Sequence, residues 1–168
     1  MLRSAEKNDC PRVLFYVPGG GFQLESQMLI RQLYGVELSL VLPDDSVLST
    51  WMEAHRIERV ATLSTRANAS RLRLLRRFAK NFWQSFRIFR RTRPAYVICI
   101  GSSICVPGFV AAKLLGIPRV YIESIARTDT QSATGALVER FHLASRYYVQ
   151  WPDQTVGSRD RRYEGTVL

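Results

Sequence analysis

The chain contains 168 residues, which is enough for one domain with a buried core and too few for two. Hydrophobic residues make up 46% and charged residues 23%, a composition that excludes disordered and collagen-like proteins. The formal net charge is +10, from 24 Lys and Arg against 14 Asp and Glu. Ten of the basic residues and none of the acidic ones lie between Arg66 and Arg93, so the remainder is neutral and this segment needs its own explanation.

Cysteine and histidine usage argues against a metal site. The three cysteines form no CxxC pair and His55 and His142 are the two histidines, so we expect no zinc or other metal. An odd number of cysteines, two of them in apolar runs, predicts a reducing, cytoplasmic compartment. Residues 1–11 lack the apolar core of a signal peptide, so we expect a flexible N-terminus without a membrane anchor.

One uncharged stretch approaches the length of a membrane span. Residues 94–112 carry no charge over 19 positions. Gly101-Ser102-Ser103 and Pro107-Gly108 interrupt this stretch, which favours a strand, a turn and the start of a helix over a spanning helix.

Short apolar runs alternate with longer amphipathic ones along the chain. This alternation predicts an α/β fold, a Rossmann-like parallel sheet with helices on both faces, formed by residues 12–168 as a single domain. The predicted strands are 12–17, 36–42, 57–63, 95–100, 118–122 and 146–150, with a last short strand or tail at 162–168. The predicted helices are 22–34, a short helix from Asp44 or Asp45 to His55, 71–91, 105–115 and 132–143.

Ligands of such sheets bind at the carboxyl ends of the strands, which selects three loops. The first, Gly19-Gly20-Gly21, lets backbone N–H groups approach a phosphate or sugar at a helix N-terminus, although a tight turn with positive φ explains it equally well. It does not match the dinucleotide-binding motif, because Leu24 stands where the third glycine would be. The second loop, Gly101-Ser102-Ser103, either leaves room for a ligand or caps the following helix.

The third loop places an acid, a hydroxyl and a base directly after a buried strand. A buried carboxylate is costly unless it is paired, so either Glu123 forms an ion pair with Arg127, or the loop binds a polyhydroxy or phosphate ligand. We expect Glu123 to face the cleft as the catalytic group, and Ser124 and Arg127 to bind substrate. Glu25 is a weaker catalytic candidate, because the helix dipole favours a carboxylate in the first helical turn in any case.

Residues 71–91 predict a long amphipathic helix, with an apolar stripe bordered by arginines. Such a helix covers a sheet with a solvated cationic face, binds nucleic acid through its phosphates, or lies on an anionic membrane. We favour the membrane over nucleic acid, because four Phe and one Trp exceed what packing one helix on a sheet requires. Each basic residue near an anionic leaflet adds about 1 kcal/mol. The predicted membrane contacts are Arg73, Arg76, Arg77, Lys80, Trp83, Phe86, Arg87 and Arg90.

Several short motifs point together to one family. The most specific is the segment 120–127, VYIESIAR, which resembles a family pattern "YIES-x-AR". Supporting motifs are Arg93-Pro94 ahead of Gly101, AAKLLG at 111–116, YVQWP at 148–152 and YEG at 163–165. Over nearly its whole length the chain resembles the acceptor-side, membrane-associated subunits of two-component UDP-sugar glycosyltransferases. These include the asparagine-linked glycosylation subunit "Alg fourteen" and bacterial exopolysaccharide subunits of the PssD type.

The resemblance implies a half enzyme. The fold would be the N-terminal, acceptor-binding half of a GT-B glycosyltransferase, while a separate partner chain binds the UDP-sugar donor. The chain itself would hold no cofactor. It would bring the complex to the cytoplasmic face of the inner membrane, where the acceptor is a polyprenyl-(pyro)phosphate-linked glycan of polysaccharide biosynthesis.

Two departures from the family pattern carry further expectations. Phe22 stands where the family usually has a histidine, whereas Gly20, Gly21 and Glu25 fit. Eukaryotic members begin with a membrane helix, so its absence implies that residues 71–91 replace it in a peripheral, bacterial protein. The alternative function is a non-enzymatic membrane adaptor on the same fold, and the third is a nucleic-acid-binding module.

Overall fold

The computed structural model describes residues 10–63 and 70–167. Its strands are β1 (Arg12–Tyr16), β2 (Glu37–Pro43), β3 (Arg56–Val60), β4 (Tyr96–Ile100), β5 (Arg119–Ile122), β6 (Arg146–Val149) and β7 (Arg161–Tyr163). Its helices are α1 (Gly21–Ile30), α2 (Arg71–Thr92), α3 (Cys105–Leu114) and α4 (Ala133–Arg140). The strands form one parallel sheet in the order β3-β2-β1-β4-β5-β6-β7, which confirms the predicted fold class. The order reverses between β1 and β4, where such sheets leave a crevice for ligands.

Both faces of the sheet are covered by helices. Because successive strand residues point to opposite sides, each strand contributes to an apolar cluster on either face. Phe15 and Tyr16 are both fully buried, and they belong to different apolar clusters. The Phe15 cluster includes Ile30 of α1, whereas the Tyr16 cluster includes Phe89 of α2 and Phe109 of α3. The uncharged stretch 94–112 divides into β4, a turn and α3, as its glycines and proline predict.

Three predicted helices are shorter by several residues in the structure, and one of them, predicted over 132–143, ends at Arg140. The segment from Asp44 to His55 contains only a 3₁₀ turn at Thr50–Met52. The reason is that Asp44 does not cap a helix: its carboxylate accepts hydrogen bonds from the Thr62 backbone N–H (3.1 Å) and hydroxyl (2.8 Å), which ties β2 to the end of β3. The helix predicted to reach residue 34 ends at Ile30. The segment predicted as a last short strand or tail at 162–168 divides: its first two residues belong to β7, which pairs with β6, and residues 164–167 have no regular structure.

Helix α2 runs antiparallel to the strands and extends past their carboxyl ends. Directly after it, the Ala95 N–H donates to the Arg12 carbonyl at the amino edge (2.8 Å). Near its middle, Asn81 Nδ2 donates to the carbonyl of Ala61, one residue beyond β3 (2.8 Å). The ten residues before Asn81 therefore extend about 15 Å along the helix axis on the side of the carboxyl edge. Residues 71–77 are exposed.

Gly108 lies where α3 crosses the buried ring of Tyr16. A Cβ at this position would stand 2.0 Å from the Tyr16 hydroxyl, which is itself hydrogen-bonded to Ser85 Oγ (2.7 Å). Helix propensity alone would make the alanine variant more stable than wild type by about 1 kcal/mol. The close contact between the added Cβ and Tyr16 therefore decides whether the substitution stabilises or destabilises the protein. We expect Gly108→Ala to lower the free energy of unfolding in urea by about 2 kcal/mol. Gly21→Ala, with nothing within 4 Å, is the control, and equal effects of the two changes would contradict this packing argument.

Candidate functional site

The three loops selected from the sequence meet at the carboxyl edge of the sheet. Gly101 adopts φ +64°, and a Cβ there would lie 2.4 Å from the Phe22 ring and 3.3 Å from the Cβ of Ser124. Only glycine therefore lets the loop after β4 fit between the start of α1 and the loop after β5. This confirms the predicted convergence of the loops. Gly20, with φ +72°, directly precedes α1.

A cleft of about 380 Å³ opens between these loops. Its walls come from Phe22 at the start of α1, Ser102 and Ser103 ahead of α3, and Ala133 and Thr134 at the start of α4. None of the three helices carries an acidic residue in its first turn. Helix N-termini favour anions through the helix dipole and their unpaired N–H groups, but at α4 the Ser132 hydroxyl caps the Gly135 N–H and the Ser132 N–H donates to Glu123. Arg127 also lines the cleft, is exposed and adds a full positive charge.

A second cavity of about 490 Å³ adjoins the first. The two share Ser102 and Ser103, and the second extends toward Asp45 and Thr62 at the ends of β2 and β3. Together the two cavities follow the carboxyl edge of the sheet from α4 to β2 and β3. They end on the same side of the sheet as the exposed end of α2.

Glu25 lies in the second turn of α1, because the helix begins at Gly21 and not at Phe22. The expected first-turn interaction with the helix dipole is therefore wrong. Its buried carboxylate reaches across to the loop after β5. One oxygen accepts from Ser124 Oγ (2.6 Å), and the other accepts from the Ile125 backbone N–H (3.0 Å) and from Gln150 Nε2 (2.8 Å).

Glu123 borders the cleft, but it is not exposed to it as predicted. The residue has no accessible surface, and four donors enclose its carboxylate. One oxygen accepts from the backbone N–H (3.2 Å) and hydroxyl (3.1 Å) of Ser132 and from the Tyr147 hydroxyl (2.7 Å); the other accepts from the Ser124 N–H (3.3 Å). Burial and the adjacent Glu123 charge raise the pKa of Tyr147, so the phenol remains a donor. Within residues 10–63 and 70–167, neither Arg127 nor any other cation forms an ion pair with Glu123.

Gln150 belongs to the site, although the sequence motif YVQWP that contains it predicted no role for it. It follows β6, is 1% exposed, and its amide donates both to Glu25 and to the Glu123 carbonyl (2.9 Å). Its own carbonyl accepts from the Val167 N–H (3.0 Å). Its position directly after an apolar strand could have predicted that it lies at the same edge of the sheet as the three loops. Gln150 therefore joins α1, the loop after β5 and the C-terminal segment.

Other reactive side chains do not add chemistry to this site. Burial raises the pKa of the Cys105 thiol, which donates to the Ser102 carbonyl (3.0 Å) and is held as a neutral group. His142 is exposed and lies 3.8 Å from Asp160. In the part of the chain that the structure describes, no group of three His, Cys, Asp or Glu could hold a metal ion.

The surface of α2 differs from the predicted one. Phe89 is buried, and Phe78, Phe82 and Phe86 pack against the core, so packing accounts for all four phenylalanines. The argument that they exceed the needs of packing is wrong, and Phe86 belongs to this packed side. The exposed apolar side chains are Leu72, Leu74, Leu75 and Trp83.

Basic residues accompany these apolar side chains along α2, with Arg73, Arg76 and Arg77 on its exposed end. Arg73, Arg76, Arg77, Arg87 and Arg90 are exposed, and Lys80 lies 4.0 Å from Asp44. Within the described residues, no helix is both long and apolar enough to cross a membrane.

The fold is that of one half of a GT-B glycosyltransferase. MurG of Acinetobacter baumannii superposes with a TM-score of 0.72 at 20% identity, over 94% of this chain and 46% of that one. A Staphylococcus aureus MnaA–UDP structure gives a TM-score of 0.65 at 13% identity, over 94% and 44% of the two chains.

Comparison of the sequence identifies the protein family within this fold class. Residues 43–167 match the family described as "Oligosaccharide biosynthesis protein Alg14 like", and the chain belongs to this family. The rat and human proteins named "UDP-N-acetylglucosamine transferase subunit ALG14" are each 33% identical to it over 132 residues. A Pseudomonas fluorescens pyrophosphoryl-undecaprenol N-acetylglucosamine transferase is 33% identical over 127 residues, 76% of this chain and 34% of that protein.

The relatives also show how much of their own length this chain covers and from which kinds of organism they come. The chain spans 58% of the length of the rat and human proteins, and the matched region is 75% of this chain. Because mammalian proteins stand among its most similar relatives, the comparisons do not support the expectation of a bacterial protein.

Proposed function

We propose that the chain is the acceptor-binding subunit of a two-component glycosyltransferase, which acts in the synthesis of a lipid-linked glycan. The observation that carries this proposal is the match of almost the whole chain to one half of MurG, combined with membership in the Alg14-like family. A partner chain supplies the other half and binds the donor. The names of the relatives suggest UDP-N-acetylglucosamine as the donor and a polyprenyl-pyrophosphate-linked sugar as the acceptor.

The charge distribution of the cleft supports an acceptor of this kind. A pyrophosphate carries negative charge, and the cleft offers three helix N-termini together with Arg127. Gly101 and Ser102 line the cleft, and we propose that they bind these oxygens together with Gly20 and Gly21 at the start of α1. Both carboxylates of the site accept hydrogen bonds from several protein donors, which stabilise their negative charges in place.

The position of α2 supports a peripheral membrane location, which we propose to be on the cytoplasmic face of the membrane. Its exposed end, with Leu72 and Leu75 among arginines, has the composition of an interfacial amphipathic helix, and Trp83 is exposed farther along α2. This end extends on the carboxyl side of the sheet, where the cleft also lies. Insertion of the apolar side chains between lipids therefore brings the cleft to the bilayer surface, within reach of a lipid-linked acceptor.

Transfer by the separate and combined chains tests the proposed function. The purified chain is expected to show no transfer from radiolabelled UDP-N-acetylglucosamine to a prenyl-pyrophosphoryl N-acetylglucosamine in detergent micelles. Co-purified with a chain that has a donor-binding GT-B half, it is expected to transfer the sugar at a rate proportional to the amount of complex. Turnover by the isolated chain would contradict the half-enzyme proposal. A stable complex that binds membranes without any transfer would favour the adaptor.

A further inference from the structure

We infer that Ser124 is a catalytic residue that relays the proton of the acceptor hydroxyl to the buried carboxylate of Glu25. This inference rests on the proposed function and concerns how a site without an exposed base can activate its acceptor. Among the described residues that line the 380 Å³ cleft, Glu123 and Arg127 are the ionisable ones. Glu123 is enclosed by four donors, and Arg127 is a cation, so neither is placed to take a proton from a ligand in the cleft.

The Ser124–Glu25 pair connects the cleft to a carboxylate below it. Ser124 lines the cleft, and its hydroxyl donates to Glu25 Oε1 at 2.6 Å, the short distance typical of a hydroxyl on a carboxylate. Glu25 Oε2 accepts from the Ile125 N–H and from Gln150 Nε2, groups that can only donate. The two donors on Oε2 fix the orientation of the carboxylate and leave Oε1 directed at the serine.

The hydrogen-bond inventory of Ser124 leaves one site for a ligand. A serine hydroxyl has one hydrogen and two lone pairs. The hydrogen lies on Glu25, and one lone pair accepts from the Ala126 N–H (3.3 Å). The second lone pair can accept a hydrogen bond from the acceptor hydroxyl in the cleft. Gln150 is then a positioning residue, because it holds Glu25 and the backbone of Glu123 in fixed relation.

The step balances without any group from outside the proposed reaction. The acceptor oxygen forms a bond to the anomeric carbon of the donor sugar, while the bond from that carbon to UDP breaks and UDP keeps the electron pair. The acceptor proton passes to Ser124 Oγ as the serine proton passes to Glu25 Oε1. After product release, the reverse movement returns the proton to water in the open cleft.

Kinetics of three variants in the co-purified complex test this relay, with UDP-N-acetylglucosamine and prenyl-pyrophosphoryl N-acetylglucosamine as substrates. We expect Ser124→Ala and Glu25→Gln each to lower kcat about 100-fold, with the KM for the acceptor within threefold of wild type. The double variant should be no slower than the slower single variant, because both changes remove the same proton path. Circular dichroism and gel filtration check that each variant folds and assembles.

The chain offers a matched control in a second serine–glutamate pair. Ser158 Oγ donates to Glu139 near β7, away from the cleft, and Ser158→Ala removes a hydrogen bond of the same type. This control should retain the wild-type kcat. The relay is overturned if the folded Ser124→Ala complex turns over within threefold of wild type, or if both variants raise KM and leave kcat unchanged. Absence of transfer by the wild-type complex would instead overturn the proposed function, and the relay with it.

Discussion

Glu123→Gln is expected to destabilise the chain by about 3 kcal/mol, which corresponds to a fall in Tm of roughly 6–12 °C for a domain of this size. The buried carboxylate accepts four hydrogen bonds, two of them from backbone N–H groups that cannot reverse direction. A glutamine keeps one carbonyl oxygen and turns an NH₂ group toward donors, so at least one buried donor loses its partner. The free energy of unfolding in urea, followed by circular dichroism, measures the effect.

Two further substitutions separate this explanation from a general effect of removing a charge. Glu53→Gln removes a carboxylate from an exposed position and should change stability by less than 0.5 kcal/mol. Tyr147→Phe removes only one of the four donors to Glu123 and should cost about 1–2 kcal/mol. A Glu123→Gln protein as stable as wild type would show that the carboxylate does not hold the loop after β5 in place.

The second large effect is expected at the membrane. Changing Arg73, Arg76 and Arg77 to glutamate should weaken binding to vesicles that contain 30% phosphatidylglycerol at least 100-fold. Each basic residue near an anionic leaflet contributes about 1 kcal/mol, and each reversal also adds repulsion. These side chains are exposed on the end of α2 that extends past the sheet, so the fold should persist. Vesicle co-sedimentation at fixed ionic strength measures the change.

The control for this experiment makes the same change in net charge at a different place on the surface. Arg146, Arg159 and Arg162 lie near the amino ends of β6 and β7, around a separate cavity of about 150 Å³. Their replacement by glutamate alters the net charge by the same amount on the opposite edge of the sheet. Binding close to wild type is expected for this variant. Equal losses in both variants would mean that overall charge, and not the exposed end of α2, attracts the chain to the membrane.

Hydrophobic patterning by itself determined the fold class. Continuous apolar runs such as that of β1, each followed by a glycine or proline and an amphipathic segment, specify parallel strands and crossover helices. The same patterning placed Gly19–Gly21, Gly101–Ser103 and the loop after β5 at one edge, since all strands of a parallel sheet end there. Helix boundaries were less well determined: Asp44 could cap a helix, but bonding to Thr62 from the next strand prevailed.

The excess of basic residues in 66–93 was equally visible in the sequence. The sequence did not show which part of α2 packs against the core and which part is exposed. Helical spacing put Phe78, Phe82, Phe86 and Phe89 on one stripe, and spacing alone does not say how much of the stripe the core covers. The structure decides this, because the helix meets the core from Phe78 onward and leaves the preceding turns exposed. The exposed apolar group consists of the leucines of these first turns, together with Trp83 on the outer side of the packed part.

The roles of the two carboxylates depend on tertiary structure alone. Composition and local position ranked Glu123 above Glu25, yet Glu123 is enclosed by Ser132 and Tyr147, and Glu25 is joined to Ser124. These partners are separated by up to 99 positions in the chain, and Gln150 lies 125 positions from Glu25. Side-chain hydrogen bonds are short and directional, so a change of 1 Å in how α1 packs on the sheet would break them. No local pattern encodes such a distance, because the packing of the whole sheet sets it.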